Sequence, residues 1–254
     1  MDATQTDREV ALIVGGGPGI SASCARLFAQ SGMRVAVAAR DPHKPVLTEL
    51  ASTHGVRCYP CDASAPQSVA ALFESVVREV GVPRLVVHNI DGRVPGIFRK
   101  NLLEAEPAMV LETLHNAAFS AFLVGQQAAR LLRDNTPNEQ GVKGTIIFTN
   151  ASASLKGFPS SAAFAMACHA KTGLAESMAR ELMPQGIHVA NVPIDAPIGW
   201  TRDDGTRAHQ RAGTSVDDNM ADPDRIAETY LQLHRQHRST WAFEVVLRPW
   251  VEKW

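Results

Sequence analysis

An apolar run, Val10-Ala11-Leu12-Ile13-Val14, stops at Gly15-Gly16-Gly17-Pro18-Gly19, and from there apolar residues recur at Ile20, Cys24, Leu27 and Phe28. A short apolar run bounded by glycine reads as a buried strand, and spacings of three and four read as one face of a helix. Strand, glycine turn and helix in that order leave few folds open. Gly15 lets the backbone close on a pyrophosphate, and Gly19 removes a side chain where the helix N-terminus offers free N–H groups to phosphate oxygens. A second strand at 34–39 follows at βαβ spacing, so Gly15, Gly17, Gly19 and Ile20 are the expected dinucleotide-binding residues.

The alternation continues to the end of the chain. Further strands are expected at 57–60, 84–88, 144–149, 188–192 and 243–247, with helices at 67–80, 106–133, 159–183 and 223–235. Right-handed crossovers between such elements give an α/β fold of Rossmann type: a doubly wound, mainly parallel sheet of seven strands with helices on both faces. With no internal repeat or linker, residues 1–254 form one domain. The stretch 134–143 is a polar surface loop, whereas 199–221 is long, charged and placed after a strand's carboxyl end, where ligands bind, and is expected to be a substrate lid.

Composition excludes several classes. With 45% hydrophobic and 20% charged residues the chain can bury a large core, and a formal charge of −1 gives no electrostatic reason to bind nucleic acid or an anionic membrane. Residues 1–9 are polar and unlike a signal peptide, and no stretch is expected to reach membrane-span length, so a soluble cytoplasmic protein is expected. Cys58 and Cys61 form a Cys-x-x-Cys pair without a second ligand pair. A reduced structural role and no metal follow.

After the second strand, where an acidic side chain commonly holds the ribose 2′-hydroxyl of NAD, stand Ala39 and Arg40, with His43 and Lys44 close behind. The fork of Arg40 suits a 2′-phosphate. NADP(H) is favoured, and NAD(H) stays open because Asp41 is adjacent.

Val14 to Ile20, Cys61-Asp62-Ala63, Asn89 after the fourth strand, and Ser177-Met178-Ala179-Arg180-Glu181-Leu182 leading to Gly186-Ile187-His188-Val189 together resemble the short-chain dehydrogenase/reductase (SDR) superfamily over nearly the whole chain. Residues 148–155 and 247–253 are similar to a divergent bacterial branch of unsettled substrate. The resemblance implies that Asp62 and Ala63 contact the adenine, that Asn89 shapes the cofactor pocket, and that the chain is a homodimer or homotetramer. Two departures stand out: Ser21 replaces the third glycine, and His88-Asn89-Ile90-Asp91 replaces Asn-Asn-Ala-Gly.

The family's chemistry uses an Asn, a Ser, and a Tyr followed four residues later by Lys, so that the Lys can lower the Tyr pKa and hold the nicotinamide ribose. Counting back from Ala179-Arg180-Glu181-Leu182 places Phe164 at the Tyr position, Cys168 at the Lys position and Ala151 at the Ser position; the Asn position falls on Ala117. Asn116 and Ser152 are each one residue away. A slip of one residue turns a helical side chain by about 100°, so Asn116 points away unless the helix is distorted. Lys171 lies about 4.5 Å farther along the axis than Cys168 and is not expected to replace it. Other proton-carrying candidates are His115, His169, Ser154, Asp91 and Asp195, the last replacing the glycine of a turn beside the nicotinamide. Three classes stay open: an NADP(H)-linked oxidoreductase on a small carbonyl or alcohol with an atypical proton transfer; a non-redox enzyme such as a cyclase, isomerase or dehydratase; and a cofactor-binding partner protein without catalysis.

Overall fold

A computed structural model of the chain describes residues 8–201, 207–209 and 219–253. Six parallel strands form the sheet: β1 (Val10–Val14), β2 (Arg34–Ala39), β3 (Arg57–Pro60), β4 (Pro83–His88), β5 (Gly144–Ala151) and β6 (Ile187–Ile194), in the order β3-β2-β1-β4-β5-β6. All five residues of β1 are buried because both faces are covered, the reason its sequence is a continuous apolar run. Val10, Leu12 and Val14 pack toward α3 (Pro66–Glu79), α5 (Ser120–Asp134) and α6 (Ala162–Leu182). Ala11 and Ile13 pack toward α1 (Ile20–Gln30), α2 (Pro45–His54) and α7 (Pro223–Arg235).

The expected seventh strand is absent from the sheet, and Pro193 explains why. Residues 243–247 do run along β6: Asn191 N–H donates to Phe243 O, Val245 N–H to Asn191 O, Leu247 N–H to Pro193 O, and Asp195 N–H to Leu247 O. The missing rung is the one from residue 193 to Val245 O, and proline has no N–H to give. Two isolated bridges, Asn191 with Glu244 and Ile194 with Leu247, remain in place of a strand.

Other expectations shift in detail. The helix expected from 159 begins at Ala162, because Ser160 sits at φ 55°, outside the helical region. The helix expected over 106–133 is α4 (Pro107–Leu114), a π turn (His115–Phe119) and α5 in succession. Contrary to the sequence reading, Pro107–Asp134 reaches membrane-span length and hydropathy. Ala117, Ala121, Val124, Ala128 and Leu132 are buried, the four on α5 against the core, while Leu111, Phe119 and Phe122 are exposed. Of the expected lid, Gly199–Thr201 pairs antiparallel with Arg207–His209, and most of the rest lies outside the described residues.

The sheet order reverses direction between β1 and β4, opening a crevice at their carboxyl ends. There Gly15 adopts φ 112°, and a Cβ on it would overlap the Asn89 carbonyl. Gly15→Ala should therefore destabilise the chain by about 3 kcal/mol or more in a urea titration. A loss below about 1 kcal/mol would show that the crossing can relax.

Candidate functional site

At this crevice a cavity of about 1080 Å³ runs along the carboxyl edge of the sheet. Of the residues singled out from the sequence, its wall holds Gly15, Gly17, Gly19, Ile20, Arg40, Asp62, Ala63 and Asn89 toward one end, and Asp91, His115, Asn116, Ser152, Phe164, Cys168 and Asp195 toward the other.

The glycine turn is held from two sides. Gly15 and Gly16 both donate their N–H groups to Ala38 O, and Ser21 Oγ donates to Gly15 O at 2.7 Å while accepting from Asn89 Nδ2 at 2.7 Å. Ser21, an apparent departure from the glycine pattern, thus staples the turn to the chain leaving β4. A Cβ on Gly17 would meet no atom within 4 Å, so the turn leaves open space in front of the first turn of α1, where Ala22 N–H is taken by Gly17 O and Ser23 N–H by Gly19 O while Ile20 and Ser21 have no intrahelical acceptor.

Arg40 and Lys44 share the wall beyond β2, with Lys44 Nζ donating to Gly16 O at 3.2 Å. Asp41, which argued for NAD, accepts from His43 N–H in a local turn and does not line the cavity. Asp62 accepts from Ser64 N–H and Oγ, and these bonds hold its carboxyl below the ordinary range.

The other half is built around Phe164, Cys168 and Asp195. Phe164 carries the Arg93 guanidinium 4.1 Å from its ring centroid, and Arg93 donates through Nε and Nη2 to both carboxylate oxygens of Asp91. A cation over an aromatic face thus occupies the neighbourhood where a phenol was expected. Cys168 is buried, and burial pushes its thiol up to about 11. Asn150 Nδ2 ties the Cys168 carbonyl to β5 at 3.1 Å. Asp195, 4% exposed, lies between Lys156 and Arg248, each 3.6 Å away. Ser154 Oγ is spent on Ala151 O, and His169 bonds Ala165 O on the outer face of α6; neither lines the cavity.

The helix distortion that Asn116 required is present. In the π turn Ser120 N–H donates to His115 O, which frees the Asn116 carbonyl, and Ser120 Oγ donates to it at 2.6 Å. Because that hydroxyl has spent its hydrogen, the 2.9 Å contact with His88 must be a donation from His88 Nε2–H. Gly92, at φ 80°, packs so closely on Ala117 that a Cβ there would clash. Together these contacts turn His115 and Asn116 to the cavity wall.

Sequence reasoning missed Arg93 and set Lys171 aside. Lys171 also lines the cavity and donates from Nζ to Ile90 O and Thr149 O, each at 3.1 Å. The side-chain tilt toward the helix N-terminus could have found it, since a long side chain one turn deeper reaches back. Among the described residues no group of three or more His, Cys, Asp or Glu is arranged to hold a metal ion.

Known proteins resemble the chain in sequence and in overall fold. A family model described as enoyl-(acyl carrier protein) reductase matches residues 15–243. A (+)-cis,trans-nepetalactol synthase of Nepeta racemosa is 29% identical, covering 89% of this chain and 83% of its own. The 3-oxoacyl-[acyl-carrier-protein] reductase of Mus musculus is 28% identical over 78% of each chain. The crystal structure of a short-chain dehydrogenase from Rhodopseudomonas palustris superposes with a TM-score of 0.75 at 30% identity, covering 96% of this chain and all of that one.

Ser120→Ala would leave the His88 Nε2–H and the Asn116 carbonyl short of a partner in the core. It should cost about 1–3 kcal/mol in a urea titration. Burial also holds the His88 pKa well below its ordinary value. The unfolded chain therefore takes up a proton below about pH 6.5 that the folded chain refuses, so this group lowers stability as pH falls, by up to about 1.4 kcal/mol per pH unit. His88→Asn should flatten the stability profile between about pH 6 and pH 5 by that contribution, and an unchanged slope would show that His88 protonates in the folded chain.

Proposed function

Because the chain belongs to the short-chain dehydrogenase/reductase family of oxidoreductases, whose members bind NAD(P)(H), we propose that it is an NADP(H)-dependent oxidoreductase acting on a small carbonyl or alcohol by an atypical proton transfer. The observation that carries this reading is one cavity that joins the glycine turn and the Arg40–Lys44 pair to the wall formed by Asn116, Ser152, Phe164 and Cys168.

The residues fit the cofactor. The open side of Gly17 and the N-terminus of α1 would receive the pyrophosphate, Arg40 and Lys44 the 2′-phosphate, and Asp62 and Ala63 the adenine, with Asn89 and Asp195 shaping the pocket. When bound, a nicotinamide supplies or accepts the hydride. The protein must then handle a proton at the substrate oxygen, and Phe164 has none to give. The wall offers the Ser152 hydroxyl and the Cys168 thiol, which burial keeps protonated near neutral pH, beside the His115 imidazole. Asn116 is placed to orient the oxygen. Arg93 can polarise it, but a guanidinium does not give up its protons and so cannot act as its acid.

A second reading, a non-redox enzyme that uses the same cavity, is favoured by Phe164 and Cys168 standing where Tyr and Lys were expected. As further proposals, residues 1–254 act as one domain with a lid over 199–221, and the protein works in the cytoplasm as a homodimer or homotetramer.

Calorimetry with NADPH and NADH tests the cofactor reading. NADPH should bind more tightly, and Arg40→Ala with Lys44→Ala should weaken NADPH by about tenfold or more while sparing NADH. Equal losses would remove the pair from the site. A carbonyl screen with NADPH should show reduction about 10²–10⁴-fold slower than in a relative that keeps Tyr and Lys. Turnover of a substrate without change in NADPH absorbance would favour the second reading, and cofactor binding with no turnover a partner protein without catalysis.

A further inference from the structure

We infer that the lysine of this site has not been lost but displaced: Lys171, three residues beyond the position held by Cys168, supplies the ammonium that anchors the nicotinamide ribose. The inference rests on the cofactor reading above. It starts from helix geometry. Three residues carry a side chain about 60° round from Cys168 and about 4.5 Å deeper, and side chains on a helix lean toward its N-terminus. A four-carbon stem rising from that depth can return to the strand ends, whereas a thiol at 168 is too short to obstruct it.

Lys171 is 2% exposed, and its Nζ donates to Ile90 O and Thr149 O at 3.1 Å, the chain just beyond β4 and the carboxyl end of β5. An ammonium has three donors, and no third acceptor is found among the described residues. The residue forms part of the cavity wall, so its remaining donor has a ligand space to serve.

Sheet order says which part of a dinucleotide lies there. The pyrophosphate site is the turn after β1, and Arg40 and Asp62 follow β2 and β3 on one side. The opposite half of the molecule must cross β4 and β5, the two strands whose exits hold Lys171. The ammonium therefore meets the second ribose, on the nicotinamide side.

The test pairs a variant with a truncated ligand. Wild type and Lys171→Met are titrated with NADPH and with adenosine 2′,5′-bisphosphate, which lacks the nicotinamide ribose. Lys171→Met should weaken NADPH by about tenfold or more and leave the bisphosphate within about twofold. An unchanged NADPH affinity, or equal losses for the two ligands in a folded variant, overturns the assignment. An analogue of NADPH lacking the two hydroxyls of the nicotinamide ribose gives an arm that needs no variant. Wild type should bind it more weakly by the same factor, and equal affinity for analogue and NADPH overturns the assignment even if Lys171→Met fails to fold. A wild type that binds neither NADPH nor the bisphosphate overturns the cofactor reading itself.

Discussion

The contact on which the site depends is the crossing of Gly15 against Asn89. Two chain segments leaving adjacent strands, β1 and β4, come so close that no side chain fits at 15, and Ser21 bonds to both of them. One hydroxyl thereby fixes the glycine turn, the start of α1 and the beginning of the 89–93 segment in a single geometry. The consequence reaches the far half of the cavity, because that segment also carries Ile90, Asp91, Gly92 and Arg93. Ile90 accepts from Lys171, Gly92 seats the π turn and Arg93 covers Phe164.

Replacing a tyrosine by phenylalanine would ordinarily leave an apolar hole beside a polar ligand. Here the ring has a partner: Arg93 lies over it, with Asp91 balancing the charge. Guanidinium is weakly hydrated and planar, so it stacks at little desolvation cost. The cavity is therefore polar at both ends, with Arg40 and Lys44 at one and Arg93 and Lys171 at the other. Each cation on the reaction side already has an anion or carbonyl partner. Such a wall is better suited to orient and polarise a bound oxygen than to donate a proton to it.

The fold was legible wherever local chemistry decides structure. The helix Pro223–Arg235 begins and ends where the sequence placed it, because Asp222 caps the N–H of Asp224 and Pro223 fills the first turn. The helix Pro45–His54 was missed, having only Leu47 and Leu50 buried and so almost no apolar stripe. The strand at 243–247 was expected from its own residues, but the rung it lacks is withheld by Pro193 on a different strand. In the site, the glycine turn and Arg40 were readable because neighbours in sequence form them. Asn116 was readable only as a condition, since the π turn that aims it is fixed by His88 and Gly92, both more than twenty residues away. Arg93 was invisible, because its partner Phe164 lies seventy-one residues on.

Cys168 and Lys171 make physical sense as one coupled change rather than two. The carbonyls of Ile90 and Thr149 can take the ammonium of Lys171. A second ammonium at 168 would sit one helical turn away on the same buried wall, where like charges repel far more strongly than at a surface. Burial already pushes the Lys171 ammonium below its ordinary pKa, and a cationic neighbour would push it further, toward the neutral amine. A small, neutral thiol avoids that repulsion and leaves the space the longer side chain crosses. Given Lys171 in its place, the absence of lysine at 168 is what electrostatics requires, and its loss from the expected position is no evidence that the site has lost its cation.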